Sequence, residues 1–136
     1  MKADVLVDTS IWIEYFNRRQ SENGETVEDL LRKGRVVLTG IVVTELLQGA
    51  KLKNEFDAIL DSILALPFLD ATLNTWIEAG RIFYSLRKKG VTIPTTDVVL
   101  ASLAKENQCL LFSLDSHFER IPGLKLYPEP VLKRPR

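Results

Sequence analysis

The chain has 136 residues, one cysteine and a formal net charge of zero, with 18 Lys plus Arg set against 18 Asp plus Glu. The length fits one domain of ordinary size, and an apolar share of 46% with 26% charged residues suits a water-exposed globule with a real core. A lone Cys109 excludes an internal disulfide, balanced charge excludes bulk attraction to polyanions, and no stretch reaches the ~18 uninterrupted apolar residues of a membrane helix.

Ala3 to Val7 reads as a short buried strand, continuous, rich in β-branched residues and ended by Asp8-Thr9-Ser10. Asp4 and Asp8 interrupt this first apolar stretch, so no signal-peptide core is expected and the expected compartment is the cytoplasm. Thr9 or Ser10 is expected to cap a helix with Ile11, Trp12, Tyr15 and Phe16 on its apolar face. Asn23-Gly24 reads as a turn, and Val27, Leu30 and Leu31 mark a second helix stopped by Gly34. Val36 to Leu38 is a second strand. Thr39-Gly40 leads into a third helix that carries Glu45 and ends near Gly49.

From Asn54 to Leu66 the apolar positions Phe56, Ile59, Leu60, Ile63 and Leu64 recur at helical spacing, and Pro67 ends the run. Phe68-Leu69 is a candidate for a brief strand. Thr72 to Lys89 is a long helix with Trp76, Ala79, Phe83 and Leu86 expected inward and Gly90 as its stop. Pro94-Thr95-Thr96-Asp97 is a helix start with an acid in the first turn. The helix from Asp97 to about Asn107 is apolar nearly all round, which marks it as the most buried. Cys109 to Phe112 and Leu124 to Tyr127 read as the last strands, and the tail from Pro128 lacks periodicity. One domain over residues 1–136 is expected, with 128–136 extended or frayed.

Strands alternating with helices imply a parallel sheet with helices on both faces. Ligands of such sheets sit outside the carboxyl ends of the strands. Asp8 and Asp115 each follow a strand end, Asp97 sits at a helix start, and Glu45 is one turn into its helix. Two carboxylates about 4 Å apart repel by roughly 4 kcal/mol at an effective dielectric near 20, so four gathered together call for a cation. With no His or Cys expected among them, the set suits Mg²⁺ or Mn²⁺ over Zn²⁺. Thr9, Ser10, Thr96 and Ser113 lie beside the acids as candidates for holding waters or ligand oxygens. Each residue also has a plain structural role open to it, as a helix cap, a dipole partner or a turn former. His117, the sole histidine, reads as a surface turn residue. Trp12 and Trp76 read as core, and the basic clusters Arg18-Arg19, Arg32-Lys33-Arg35, Lys51 with Lys53, Arg87-Lys88-Lys89 and Lys133 to Arg136 as solvated helix ends or loops.

Four segments carry a resemblance over nearly the whole chain. They are Val5 to Ser10, Val43 to Ala50, Ile93 to Ala101, and Leu111 to Phe118 with its continuation Glu119 to Leu124. In order and spacing they resemble a PIN-domain protein, and specifically a VapC-type toxin of a toxin–antitoxin pair. The resemblance implies a three-layer α/β/α fold with a short, mostly parallel sheet of about four to five strands. It implies a Mg²⁺- or Mn²⁺-dependent endoribonuclease whose catalytic acids match Asp8, Glu45, Asp97 and Asp115. Of these, Asp8, Asp97 and Asp115 are expected on the metal, with Glu45 as a further ligand or an orienter of water, and Ser113 as a supporting hydroxyl. It also implies a homodimer, a VapB-like antitoxin, and structured RNA such as tRNA or rRNA as substrate. Two alternatives stand beside it: a PIN-like binding module without turnover, and a nuclease of RNA processing outside a toxin–antitoxin pair.

Overall fold

The computed structural model describes residues 2–128 of the chain. Four parallel strands form the sheet: β1 (Val5–Val7), β2 (Val36–Thr39), β3 (Phe68–Leu69) and β4 (Leu110–Phe112), in the order β3-β2-β1-β4. The helices are α1 (Thr9–Asn17), α2 (Glu22–Arg32), α3 (Gly40–Gln48), α4 (Lys53–Ile63), α5 (Leu73–Lys88) and α6 (Thr95–Glu106), followed by a 3₁₀ helix at Ser116–Arg120. The expected last strand is reduced to one parallel bridge, Leu126 to Leu111. Leu111 donates to Lys125 and accepts from Tyr127, which holds that segment at the outer edge of β4.

The strand order places the functional edge. The chain steps outward from β1 to β2 to β3, then returns past β1 to β4. Parallel crossovers are right-handed, so the return connection through α5 and α6 lies on the face opposite α1 to α4. The packing agrees: α1 meets α2 and α3, α3 meets α4, and α5 meets α6. The reversal falls between β1 and β4, and ligands of such sheets bind beyond the strand carboxyl ends at such a point. The register sets Val7 opposite Phe112, so Asp8 and Ser113 leave the sheet side by side at that edge.

The core follows from composition. β1, β2 and β4 are buried along their whole length, as unbroken apolar strands covered on both faces must be. Helix α6 is buried from Val98 to Ala104, as its apolar circumference predicts. The N-cap of α1 is Asp8 rather than Thr9 or Ser10, its carboxylate accepting from Thr9 N at 2.8 Å. Asn23-Gly24 is not a turn, because Ser21 caps a helix that starts at Glu22. Gly24 is there for clearance, since a Cβ would meet the carbonyl oxygens of Arg18 and Arg19 at 2.6 Å. Helix α4 packs mainly against α3, so Ile63 is buried while Phe56 and Leu64 are exposed despite their helical spacing.

Candidate metal centre at the edge of the sheet

Asp8 is 5% exposed and sits where a strand becomes a helix. Its amide donates to Phe112 O of β4 at 2.9 Å, which extends the sheet by one rung. Its Oδ1 accepts from Thr9 N, and its Oδ2 accepts from the hydroxyls of Ser10 (3.1 Å) and Ser113 (2.7 Å). Ser10 Oγ in turn accepts from Leu114 N, and Ser113 Oγ from Asp115 N. Two hydroxyls thus tie β1, β4 and the turn carrying Asp115 around one carboxylate.

Glu45 reaches the same edge from α3. Its Oε1 accepts from Thr9 Oγ1 at 2.9 Å, so consecutive residues Asp8 and Thr9 connect both acids. Apolar neighbours bring Glu45 in: Val42 and Leu46 are buried, and Glu45 on the same helix is half-buried.

Asp97 stands in the first turn of α6, half-buried. Its carboxyl is pushed above the ordinary carboxylate range, chiefly by burial and then by the negative charge of Asp8. Nearby His117 offsets part of that push, and Asp115 adds to it. One carboxylate oxygen each of Asp97 and Asp115 and one ring nitrogen of His117 lie within 4.8 Å of one another. Thus β1, α3, α6 and the segment after β4 deliver Asp8, Glu45, Asp97 and Asp115 to one edge. Of the hydroxyls, Thr9, Ser10 and Ser113 bond directly into the cluster, and Thr96 lines the adjoining cavity with Glu45.

The donor set fits a divalent cation that accepts oxygen ligands: anionic oxygens lie close together, and the proton affinity of Asp97 is raised first by burial and then by the charge of Asp8. Two expectations are corrected. His117 is not a surface turn residue apart from the acids, since its Nε2 lies 2.9 Å from Asp97 Oδ2. The sequence spacing hid this, because Asp97 and His117 meet only through the β4 connection. Trp76 is not core: it is 54% exposed, whereas Trp12 is fully buried. Trp76 lines a cavity of about 620 Å³ together with Gly40, Thr44, Glu45, Gln48, Phe68 and Thr96. An open aromatic beside a carboxylate cluster is invisible to a helical periodicity that counts Trp as apolar.

The basic clusters are partly spent on structure. Arg35 donates to Ala3 O, Lys33 pairs with Asp29 and Lys53 with Asp57, and Arg19 and Lys88 lie over the rings of Tyr15 and Tyr84. The cluster from Lys133 to Arg136, and the expected tail beyond Pro128, lie outside the described residues.

Residues 5–124 match the PIN domain family. The chain is 28% identical over 131 residues to ribonuclease VapC1 of Methanocaldococcus jannaschii, covering 93% of this chain and 88% of that protein. It is 29% identical over 122 residues to ribonuclease VapC11 of Mycobacterium tuberculosis, covering 86% of this chain and 90% of that one. Among solved structures, VapBC2 from Rickettsia felis bound to a DNA fragment from its promoter superposes with a TM-score of 0.78 at 26% identity, covering 90% and 96% of the two chains.

Proposed function

This chain belongs to the PIN-domain family, and from that premise we propose that it is a Mg²⁺- or Mn²⁺-dependent endoribonuclease, the toxin of a VapBC-type toxin–antitoxin pair working in the cytoplasm as a single domain. The observation that carries the reading is the convergence of Asp8, Glu45, Asp97 and Asp115 at the carboxyl edge of the sheet. The names of the relatives, ribonucleases and a VapBC complex, support the activity and the antitoxin partner. No helix among the described residues is long and apolar enough to cross a membrane.

Asp8, Asp97 and Asp115 hold the metal in this reading, and Glu45 joins them or orients the attacking water. The bound ion supplies neutralisation of a phosphate oxygen and a more acidic water. Ser10 and Ser113 fix the Asp8 carboxylate, and the Thr9 hydroxyl fixes Glu45. The cavity beside Glu45 offers the open rings of Trp76 and Phe68, on which unpaired RNA bases stack. An antitoxin segment laid along the same cleft blocks it. Leu73, Ile77 and Tyr84, exposed at helical spacing on α5, suit the contact of a homodimer.

The test is cleavage of end-labelled structured RNA, tRNA and rRNA fragments included, by metal-free protein to which Mg²⁺ or Mn²⁺ is added. Metal-dependent internal cuts that vanish in Asp8→Asn support the reading. Cuts that persist in that variant, or need no metal, overturn it.

A further inference from the structure

His117 is held firmly at the acidic edge. The 3₁₀ helix that carries it is anchored by fully buried Phe118, and Ile121 beyond its end is buried too. Its ring packs against that of Phe118, with centroids 4.7 Å apart. Nε2 lies 2.9 Å from Asp97 Oδ2, yet it is buried and makes no well-directed hydrogen bond among the described residues.

Two polar atoms this close, with no well-directed hydrogen bond between them, have the spacing of neighbouring ligands of one ion as well as that of an ion pair. Ligands about 2.1 Å from an octahedral cation stand about 3.0 Å apart along an edge and about 4.2 Å apart across the centre. The nitrogen-to-oxygen distance matches the edge, and one carboxylate oxygen of Asp115 lies within 4.8 Å of a ring nitrogen of His117 and an oxygen of Asp97.

We propose that His117 is a nitrogen ligand of the metal held by Asp97 and Asp115, and that it biases the centre toward Mn²⁺ over Mg²⁺. Mg²⁺ is a hard ion that favours oxygen. Imidazole ligands suit transition metals better, and mixed carboxylate–histidine sets hold manganese in other folds. The inference rests on the metal-dependent reading of the site given above. The competing role for His117 is that of a positive counter-charge to Asp97 that metal displaces, and it predicts the opposite effect of removing the ring.

The experiment uses the full chain without a histidine tag and Mn²⁺ alone. His117 is the chain's only histidine, so any imidazole signal is its own. Pulsed electron paramagnetic resonance of bound Mn²⁺ is expected to show coupling to imidazole ¹⁴N. That coupling is lost in His117→Gln, whose Mn²⁺ affinity by calorimetry falls about tenfold or more while its Mg²⁺ affinity falls less. The wild-type spectrum decides the matter even if the variant fails to fold. Bound Mn²⁺ without nitrogen coupling, or equal or tighter Mn²⁺ binding by folded His117→Gln, overturns the assignment and leaves the nuclease reading intact. Absence of any Mn²⁺ or Mg²⁺ binding overturns both.

Discussion

The Ser113 hydroxyl donates to Asp8 Oδ2 at 2.7 Å although 105 positions separate the two residues. The parallel register of β1 and β4 makes the contact, because Val7 lies opposite Phe112 and each of the two residues is the next one on. Ser113 also accepts from Asp115 N, so one side chain sets the spacing between two of the acids. Ser113→Ala should lower cleavage by about 10- to 100-fold, as loss of a partner of a metal ligand does elsewhere. Ser113→Thr should retain most of it. Steady-state rates of the two variants at saturating Mg²⁺ check this.

Asp8 both caps α1 and faces the cluster, so the substitution decides what is measured. Asn keeps a side-chain oxygen for Thr9 N, whereas Ala loses the cap at a cost of about 1 kcal/mol. Asp8→Asn should abolish cleavage and leave the metal-free melting temperature within a few degrees of wild type. Asp8→Ala should abolish cleavage and melt lower. Thermal denaturation followed by circular dichroism separates the two effects.

Asp97 binds its proton more tightly in the folded protein, first through burial and next through the charge of Asp8. Ionising it therefore opposes folding. That cost is absent below the unfolded-state pKa, grows as pH rises toward the raised folded value, and is complete above it. A bound cation removes the cost and needs the carboxylate deprotonated. The increase in melting temperature caused by Mn²⁺ should therefore grow from pH 5 to pH 8. Asp97→Asn should melt a few degrees above wild type without metal at pH 8 and lose the metal response.

Trp76 is open and Trp12 is fully buried, so quenching of tryptophan emission by a bound oligonucleotide reports on Trp76. Unstructured RNA added to Asp8→Asn should quench part of the emission. Trp76→Ala should weaken that binding by about 5- to 150-fold, the equivalent of 1–3 kcal/mol for a lost stacking platform. Equal affinities measured by anisotropy of labelled RNA would separate the cleft from substrate binding. If the proposed homodimer forms through the neighbouring face of α5, Ile77→Glu should leave a monomer by light scattering while cleavage chemistry persists.

Cys109 is buried and its thiol is pushed up to about 11, chiefly by desolvation and further by Asp4. A thiol with so little thiolate at neutral pH is inert. An aromatic disulfide reagent should label native protein at least tenfold more slowly than protein unfolded in guanidinium, and labelling kinetics test this directly.

Local chemistry in the chain determined a good deal. Unbroken apolar runs specified β1, β2 and β4 as strands and β1 as a buried one, the apolar circumference of α6 specified a buried helix, and an acid after each of β1 and β4 pointed to the carboxyl edge of a parallel sheet. These are readable because burial on both faces leaves no room for polar residues, a constraint each segment meets by itself. Only the tertiary structure decided that His117 meets Asp97, that Trp76 opens onto the cleft beside Glu45, and that Leu64 at the end of α4 goes uncovered. Those outcomes depend on which element lies across from a side chain. Strand order and crossover hand set that relation, and the periodicity of a single segment carries no record of it.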